Sequence, residues 1–152
     1  SGRFVFSNIS TNDAAGTITR FLELGIPRSF LATSLIMAVS KRLLRKNCPV
    51  CSVAYQPGEK FMQESGMANS VGATFMKGPG CEKCNGHGYF ERIPVFEFFV
   101  VSKEIAELIT DGATSKELID MAKSQGMKTL RESAVALAAK GLVTLEDAIY
   151  IT

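Results

Sequence analysis

The chain lacks several residues and motifs on which catalytic sites depend. It has no tryptophan and a single histidine, His87, among 152 residues. A site that needs two or three histidines therefore cannot be assembled from this chain alone. It also lacks a Gly-Lys dipeptide, and with it the phosphate loop G-x-x-x-x-G-K-[ST], as well as G-x-S-x-G, H-E-x-x-H and G-x-G-x-x-G motifs. We predict no catalytic residue in this sequence.

Long apolar runs and a strong net charge are missing too. The longest apolar stretch, residues 30–39, includes Thr33 and Ser34, and a membrane-spanning helix needs roughly 20 residues. The N-terminus shows no basic region followed by an apolar run, so we expect no secretory signal. A formal charge of +2 is too small to indicate nucleic-acid binding. We expect a globular protein without a nucleic-acid partner and without membrane insertion.

The cysteines are the most informative residues present. They form two pairs of the C-x-x-C type, Cys48 with Cys51 and Cys81 with Cys84. Four thiolates suit one tetrahedral zinc ion, and they leave no open position for catalysis. Residues 52–80 make the gap longer than the roughly 15–20 residues usual in zinc ribbons, so an inserted loop or helix is needed. The sequence predicts a structural zinc site.

Two other readings of the cysteines stay open. Two structural disulfides would need an oxidising compartment, for which the sequence gives no sign. Cys48-Pro-Val-Cys51 also resembles a redox motif, although that motif usually follows a strand and precedes a helix. We expect His87 to be a solvated loop residue, and Gly78, Gly80, Gly86 and Gly88 to shape the loop around the second pair.

The first half of the chain reads as a strand followed by two helices. Residues 4–9 predict a short strand, and Ser10 to Asp13 offer N-cap residues for a helix ending near Leu24. Pro27 opens a second helix, which we extend to about Lys46 because its apolar residues recur at helical spacing. On that reading, Lys41, Arg42, Arg45 and Lys46 form a basic helix end, either solvated or bound to an acidic or phosphate group.

The second half reads as a strand followed by short helices. A short helix is possible at 59–64, and residues 89–101, which are rich in strand-forming residues, predict a strand interrupted by Pro94. Within that strand we expect Glu97 to face solvent or to pair with a neighbour such as Arg92. Ser102, the capping boxes Thr114–Glu117 and Thr129–Glu132, and Thr144 then predict about four short helices. We place a domain boundary near Val101.

Several ordered motifs give the chain a family resemblance over essentially its whole length. Residues 6–14 resemble the stretch F-S-T-L-H-T-N-D-A, and residues 41–51 resemble Q-R-L-V-R-R-x-C-P-x-C. Residues 84–97 resemble C-x-G-x-G-Y-x-G-R-x-G-I-Y-E, and 126–132 resemble G-M-x-T-L-R-E. Together with Thr144–Asp147, these motifs are similar to the C-terminal part of the ATPases of type II secretion and type IV pilus assembly.

The resemblance implies a fold and a role. The fold implied is α/β (an α+β fragment): residues 1–101 as the C-terminal portion of a RecA-like ATPase domain, with a zinc module at about 48–88, and a helical domain at 102–152. It implies a cytoplasmic homo-hexameric motor, peripheral to the inner membrane, whose zinc module faces inner-membrane platform proteins. Zn²⁺ would be structural, while ATP and Mg²⁺ would bind only in the full-length protein, whose phosphate loop lies upstream.

The same resemblance assigns nucleotide sensing to Ser10, Thr11 and Asn12, but with a departure. Ser10 stands where the family has a histidine, and serine cannot carry a positive charge near neutral pH. Glu91 and Pro94 replace two family glycines. We therefore expect a divergent or weakly active member. The alternative reading is a free-standing zinc-ribbon module that binds protein or nucleic acid.

Overall fold

The computed structural model describes residues 2–70 and 72–152, and it mixes helices with strands. The α-helices in these residues are α1 Gly16–Glu23, α2 Arg28–Ser34, α3 Glu59–Glu64, α4 Lys103–Asp111, α5 Ser115–Ser124, α6 Leu130–Ala139 and α7 Leu145–Tyr150. The strands are β1 Met37–Asn47, β2 Val53–Tyr55, β3 Phe75–Lys77 and β4 Tyr89–Val100. The expectation of a mixed α+β protein is confirmed. No helix in the described residues is both long and apolar enough to cross a membrane.

The chain divides into two compact units that interleave along the sequence. Unit 1 comprises the chain up to Ser40 together with Glu97–Met127, and unit 2 comprises Lys41–Phe96 together with Lys128–Thr152. Strand β1 pairs with β4, and each of these strands contributes residues to both units. The predicted domain boundary near Val101 does not coincide with the division into these two units. As a statement about domains, that boundary stays a prediction.

Unit 1 has an apolar core between short amphipathic helices. Phe99, Ile105 and Ile109 are fully buried there, with Ile18 and Leu118 beside them. Helix α4 packs against α2 and α5, and α1 contacts the same two helices. The core follows from apolar residues that recur three and four positions apart on each helix.

Unit 2 combines a second core with a small antiparallel sheet. Strands β2 and β3 pair with Val53 opposite Lys77 and Tyr55 opposite Phe75. Helix α6 packs against α7 and β3, and the fully buried side chains include Leu44, Val143 and Leu145. The elements of unit 2 other than β1, β4 and α6 are six residues long or shorter.

The prediction that the second helix continues to about Lys46 is wrong. Helix α2 ends at Ser34, and Met37–Asn47 form a strand in which burial alternates. At the start of the strand the buried positions carry the small residues Ala38 and Ser40, while the larger Met37 and Val39 are 45% and 47% exposed. Because larger apolar residues are exposed here and smaller residues are buried, the spacing of the apolar residues in the sequence resembled that of a helix. The basic residues 41–46 therefore lie on a strand and complement no helix dipole.

The predicted strand at residues 4–9 is not present in the described residues. This segment has no regular secondary structure, and Phe4 and Phe6 are 77% and 92% exposed. A strand needs a hydrogen-bonded neighbour, and the described residues supply none for it. The helix predicted after it begins at Gly16, and its N-cap position is Ala15, after the predicted N-cap residues Ser10 to Asp13.

The later helices agree with their predicted start and stop signals. Ser102, Thr114, Thr129 and Thr144 each accept a hydrogen bond from the backbone N–H three residues on. Thr114 and Thr129 form complete capping boxes with Glu117 and Glu132. Gly126 and Gly141 follow the helix ends with positive φ angles. The predicted helix at 59–64 and the strand starting at Tyr89 are also confirmed.

Glu97 is buried, so the alternative in which it faces solvent is wrong. Its side chain lies in unit 1 at 4% exposure, and its Oε1 accepts a hydrogen bond from the backbone N–H of Ala14 at 2.8 Å. A buried carboxylate needs such donors to offset its desolvation.

Candidate metal centre

The four cysteines come together in unit 2. Their sulfur atoms all lie within 4.8 Å of one another. Cys48 Sγ is 3.9 Å from Cys81 Sγ, Cys51 Sγ is 3.9 Å from Cys84 Sγ, and the Cys81 and Cys84 sulfurs are 3.7 Å apart. All four are free thiols. A disulfide has sulfurs about 2.05 Å apart, so this structure gives no support to the disulfide reading.

The spacing of the sulfurs fits a tetrahedral zinc ion. With Zn–S bonds of about 2.3 Å, the edge of a regular tetrahedron is about 3.8 Å. The three sulfur separations of 3.7–3.9 Å match that edge. Cys48 and Cys84 are buried, while Cys51 and Cys81 are partly exposed. The donor set therefore suits a structural zinc that would link the two C-x-x-C turns and leave no coordination position for a substrate.

Backbone groups favour negative charge on one sulfur of the cluster. Burial acts to raise the pKa of the Cys84 thiol, but the backbone N–H groups of Cys81 and Gly88, each 3.2 Å from Sγ, outweigh it and lower that pKa to about 6. Burial and the neighbouring sulfurs instead raise the pKa of Cys51 to about 12. Four thiolates at this spacing repel one another, and a divalent cation is what would compensate them.

The second C-x-x-C turn folds back on the segment before it through glycine contacts. A Cβ atom on Gly78 would overlap the carbonyl oxygen of Gly88, and one on Gly88 would overlap that of Gly78. Gly88 also has a φ of 77°. The Gly88 carbonyl oxygen accepts a hydrogen bond from Cys48 N at 2.9 Å, so this close approach helps to bring the two turns together. The prediction that these glycines shape the loop is supported here.

His87 lies outside the cluster. Its side chain is exposed, and the group of possible ligands contains only the four cysteines within the described residues. The prediction of a solvated loop residue agrees with this placement.

The basic residues near the first C-x-x-C turn have acidic neighbours within unit 2. The guanidinium of Arg45 lies against the carboxylate of Asp147, with Nε to Oδ2 at 2.9 Å, and over the ring of Tyr89 at 4.1 Å. The hydrogen bond to Asp147 raises the pKa of Arg45. Lys46 Nζ is 3.5 Å from the carboxylate of Glu91. Arg45 thus contributes to the fold and Lys46 has an acidic neighbour, which weakens the reading of this cluster as a phosphate or acidic-partner site.

Glu91, which stands where the family motif has a glycine, adopts a backbone conformation that favours glycine. Its φ is 71°, a left-handed conformation that costs a residue with a Cβ roughly 1–2 kcal/mol. Glycine adopts the same conformation without that cost. The departure from the motif therefore places a residue with a Cβ in a left-handed conformation, at an energetic cost. The prediction that Pro94 interrupts the strand is wrong, because β4 runs through it from Tyr89 to Val100.

The three residues assigned to nucleotide sensing lie in unit 1, before helix α1. Ser10 and Asn12 are exposed. The hydroxyl of Thr11 donates to the backbone carbonyl of Asp13 at 2.9 Å, and Asp13 Oδ1 accepts from Gly16 N at 2.6 Å. This turn leads the segment into α1.

Sequence reasoning missed three residues whose hydrogen bonds join the segments next to the first cysteine pair to distant parts of the chain. Asn47 precedes Cys48 and is 4% exposed; its side-chain amide donates to Met76 O and Gly141 O. The Tyr55 hydroxyl donates to Glu146, and Asp147 accepts from Arg45. All three depend on partners 29 to 102 positions away along the chain. Local patterns carry no signal for such contacts.

Comparisons with known proteins identify the family. The family model described as "Type II/IV secretion system protein" matches residues 1–150. The chain is 37% identical to the type IV pilus assembly ATPase PilB of Thermus thermophilus, and it is 31% identical to the type II secretion system protein HxcR of Pseudomonas aeruginosa. Type II secretion system protein E of the same Pseudomonas is 28% identical.

These matches cover the whole of this chain but only part of each relative. The chain spans 17% of the Thermus protein, 29% of HxcR and 30% of the Pseudomonas protein E. The chain belongs to the type II/IV secretion system protein family, and its relatives carry the names of secretion proteins and pilus assembly ATPases.

Proposed function

We propose that this chain is the C-terminal, zinc-bearing portion of an ATPase that powers type II secretion or type IV pilus assembly. Two observations support the proposal: the family match over residues 1–150 and the tetrahedral spacing of four thiols. The cysteine cluster carries most weight for the role of this portion, because four thiolates that fill the coordination of a zinc ion serve structure and not catalysis.

In this proposal the chain works as part of a larger motor. Residues 1–101 form the end of a RecA-like ATPase domain and 102–152 a small helical domain, while the phosphate loop and the Mg²⁺ site belong to the rest of the longer protein. The motor is a cytoplasmic homo-hexamer at the inner membrane. The zinc module at about 48–88 presents a rigid surface to platform proteins of that membrane.

The proposal divides the chemistry between the two parts of the protein. The longer protein hydrolyses ATP, and the 152-residue chain alone does not, because it lacks a phosphate-binding loop. A turnover assay on both proteins tests this division. ATP hydrolysis by the isolated chain, or no nucleotide binding by the longer protein, would overturn the proposal.

Ser10, with Thr11 and Asn12, is proposed to contact the nucleotide in the assembled motor, where it replaces a histidine. Since serine is uncharged, we propose that this member turns over ATP slowly. The test compares the longer hexameric protein with its Ser10→His variant, and Ser7→His, also at an exposed position, serves as the control. Faster turnover for Ser10→His alone is expected. Wild-type turnover already at family rates, unchanged by the substitution, contradicts the idea.

A further inference from the structure

The described residues bring one further feature to the cysteine site: a set of polar contacts between the first C-x-x-C turn and residues 141–150. These residues, which we call the C-terminal segment, comprise the turn after α6 and helix α7. All of the contacts lie within unit 2. They surround the first cysteine pair on both sides in sequence.

Asn47 makes the contacts on the N-terminal side. Its backbone N–H donates to Leu142 O at 2.8 Å, and its side-chain Nδ2 donates to Gly141 O at 2.9 Å and to Met76 O at 2.8 Å. Two carbonyl acceptors on one side of the amide fix its orientation, because the flipped amide would oppose oxygen to oxygen. Oδ1 is buried without a hydrogen-bond partner among the described residues. The hydrogen bonds that the amide donates offset the cost of burying this oxygen and hold the residue in place.

Two further contacts reach α7 itself. Arg45, two residues before Asn47, binds Asp147 through two guanidinium nitrogens, and the Asp147 side chain is only 6% exposed. Tyr55, four residues after Cys51, donates its hydroxyl to Glu146 and accepts the backbone N–H of Leu145 at 3.3 Å. Residues on both sides of Cys48 and Cys51 therefore hold the start of one helix.

Helix α7 depends on such tertiary contacts. It spans only Leu145–Tyr150, and helices shorter than about 12 residues are marginal on their own in water. Cys48 N meanwhile donates to Gly88 O in the second C-x-x-C turn. The position of residues 45–55 thus depends on the second turn as well as on the C-terminal segment.

We propose that metal binding at Cys48, Cys51, Cys81 and Cys84 controls the order of the C-terminal segment, and that Asn47 and Asp147 are the positioning residues that transmit the effect. The inference rests on the proposed metal site and is independent of the motor function. A metal that fixes the first turn stabilises whatever that turn holds. By reciprocity, loosening the C-terminal segment weakens metal binding by the same factor.

Hydrogen exchange measured by mass spectrometry tests the first direction. The reduced chain is examined with one equivalent of zinc and after removal of zinc by a chelator. Amides 145–151 are expected to lose protection by about 5- to 150-fold on zinc removal, while α4 of unit 1 keeps its protection. If the chain binds zinc and amides 145–151 exchange equally with and without it, the inference is wrong. If the chain binds no zinc, the metal site fails with it.

Zinc affinity, measured by competition with a chromophoric chelator, tests the reverse direction. Asp147→Asn and Asn47→Ala are expected to weaken zinc binding by about 5- to 150-fold although no ligand is changed. The matched controls Asp120→Asn and Asn69→Ala, both at exposed positions, leave it unchanged.

Tyr55→Phe keeps the test decisive if the buried Asn47→Ala variant fails to fold, because it removes one hydroxyl and little volume. It too is expected to weaken zinc binding and to increase exchange at the start of α7. Unchanged zinc affinity in both Tyr55→Phe and Asp147→Asn would overturn the proposal.

Discussion

Units 1 and 2 reach similar burial by different means. Unit 1 consists mainly of helices that pack an apolar core around Phe99, Ile105 and Ile109. Unit 2 also has a core, but the part that carries the cysteines consists of three-residue strands, a six-residue helix and glycine-rich turns. Elements this short do not persist without a constraint. The same chain thus combines apolar packing in one unit with short elements, polar contacts and a proposed metal site in the other.

The largest expected effect comes from removing one ligand. Cys48→Ser takes a buried thiolate from the cluster and should abolish tight zinc binding. Structural zinc contributes on the order of 10 kcal/mol in small zinc domains, comparable to the whole stability of a typical domain. We expect unit 2 to lose amide protection while unit 1 keeps it, as measured by hydrogen exchange. His87→Ala is the control and should retain the metal. Equal loss of amide protection in both units would contradict the expected difference between them.

A core truncation in unit 1 should have the opposite distribution. Phe99 is 0% exposed, whereas its neighbour Phe98 is 50% exposed. Phe99→Ala is expected to destabilise the chain by about 3–5 kcal/mol, and Phe98→Ala by about 1 kcal/mol or less. Denaturant unfolding measures both, and zinc stoichiometry should stay unchanged. Loss of zinc from Phe99→Ala would show that the metal site depends on the unit 1 core.

The close approach of the two glycine segments gives a smaller effect confined to unit 2. Gly78→Ala places a methyl group against the backbone of Gly88, and we expect a cost of about 1–3 kcal/mol together with weaker zinc binding. Gly58→Ala is the matched control, because its Cβ would meet no atom within 4 Å and its φ is −61°. Chelator competition compares the two variants. Identical zinc affinities of the two variants would contradict a role for the glycine contact in metal binding.

The smallest effect has the opposite sign. Glu91→Gly relieves the left-handed backbone at φ 71° and should stabilise unit 2 by about 0.5–1 kcal/mol. The exposed ion pair with Lys46 that it removes is worth little. Arg92→Gly, at an exposed neighbouring position without positive φ, should instead destabilise the strand by a similar amount. Thermal unfolding distinguishes them, and a loss of stability in Glu91→Gly would contradict the strain argument.

Features encoded within a few residues could be predicted from the sequence. Helix caps at Thr114 and Thr129 and the two C-x-x-C turns have local chemistry, and the structure agrees with them. Strand β1 could not be identified, because two of its buried positions carry the small residues Ala38 and Ser40 while the larger Met37, Val39 and Leu43 are exposed. Asn47 was missed for the same reason as Glu97: the partners of each are distant in sequence.

The central claim is that the four cysteines hold one structural metal ion, and native mass spectrometry of the reduced, zinc-incubated protein tests it most directly. We expect one zinc ion per chain under native conditions. After denaturation, we expect the zinc to be lost and four free thiols to remain. A folded chain that carries four free thiols and no metal would contradict the account, because the sulfur spacing in unit 2 would then serve no ion.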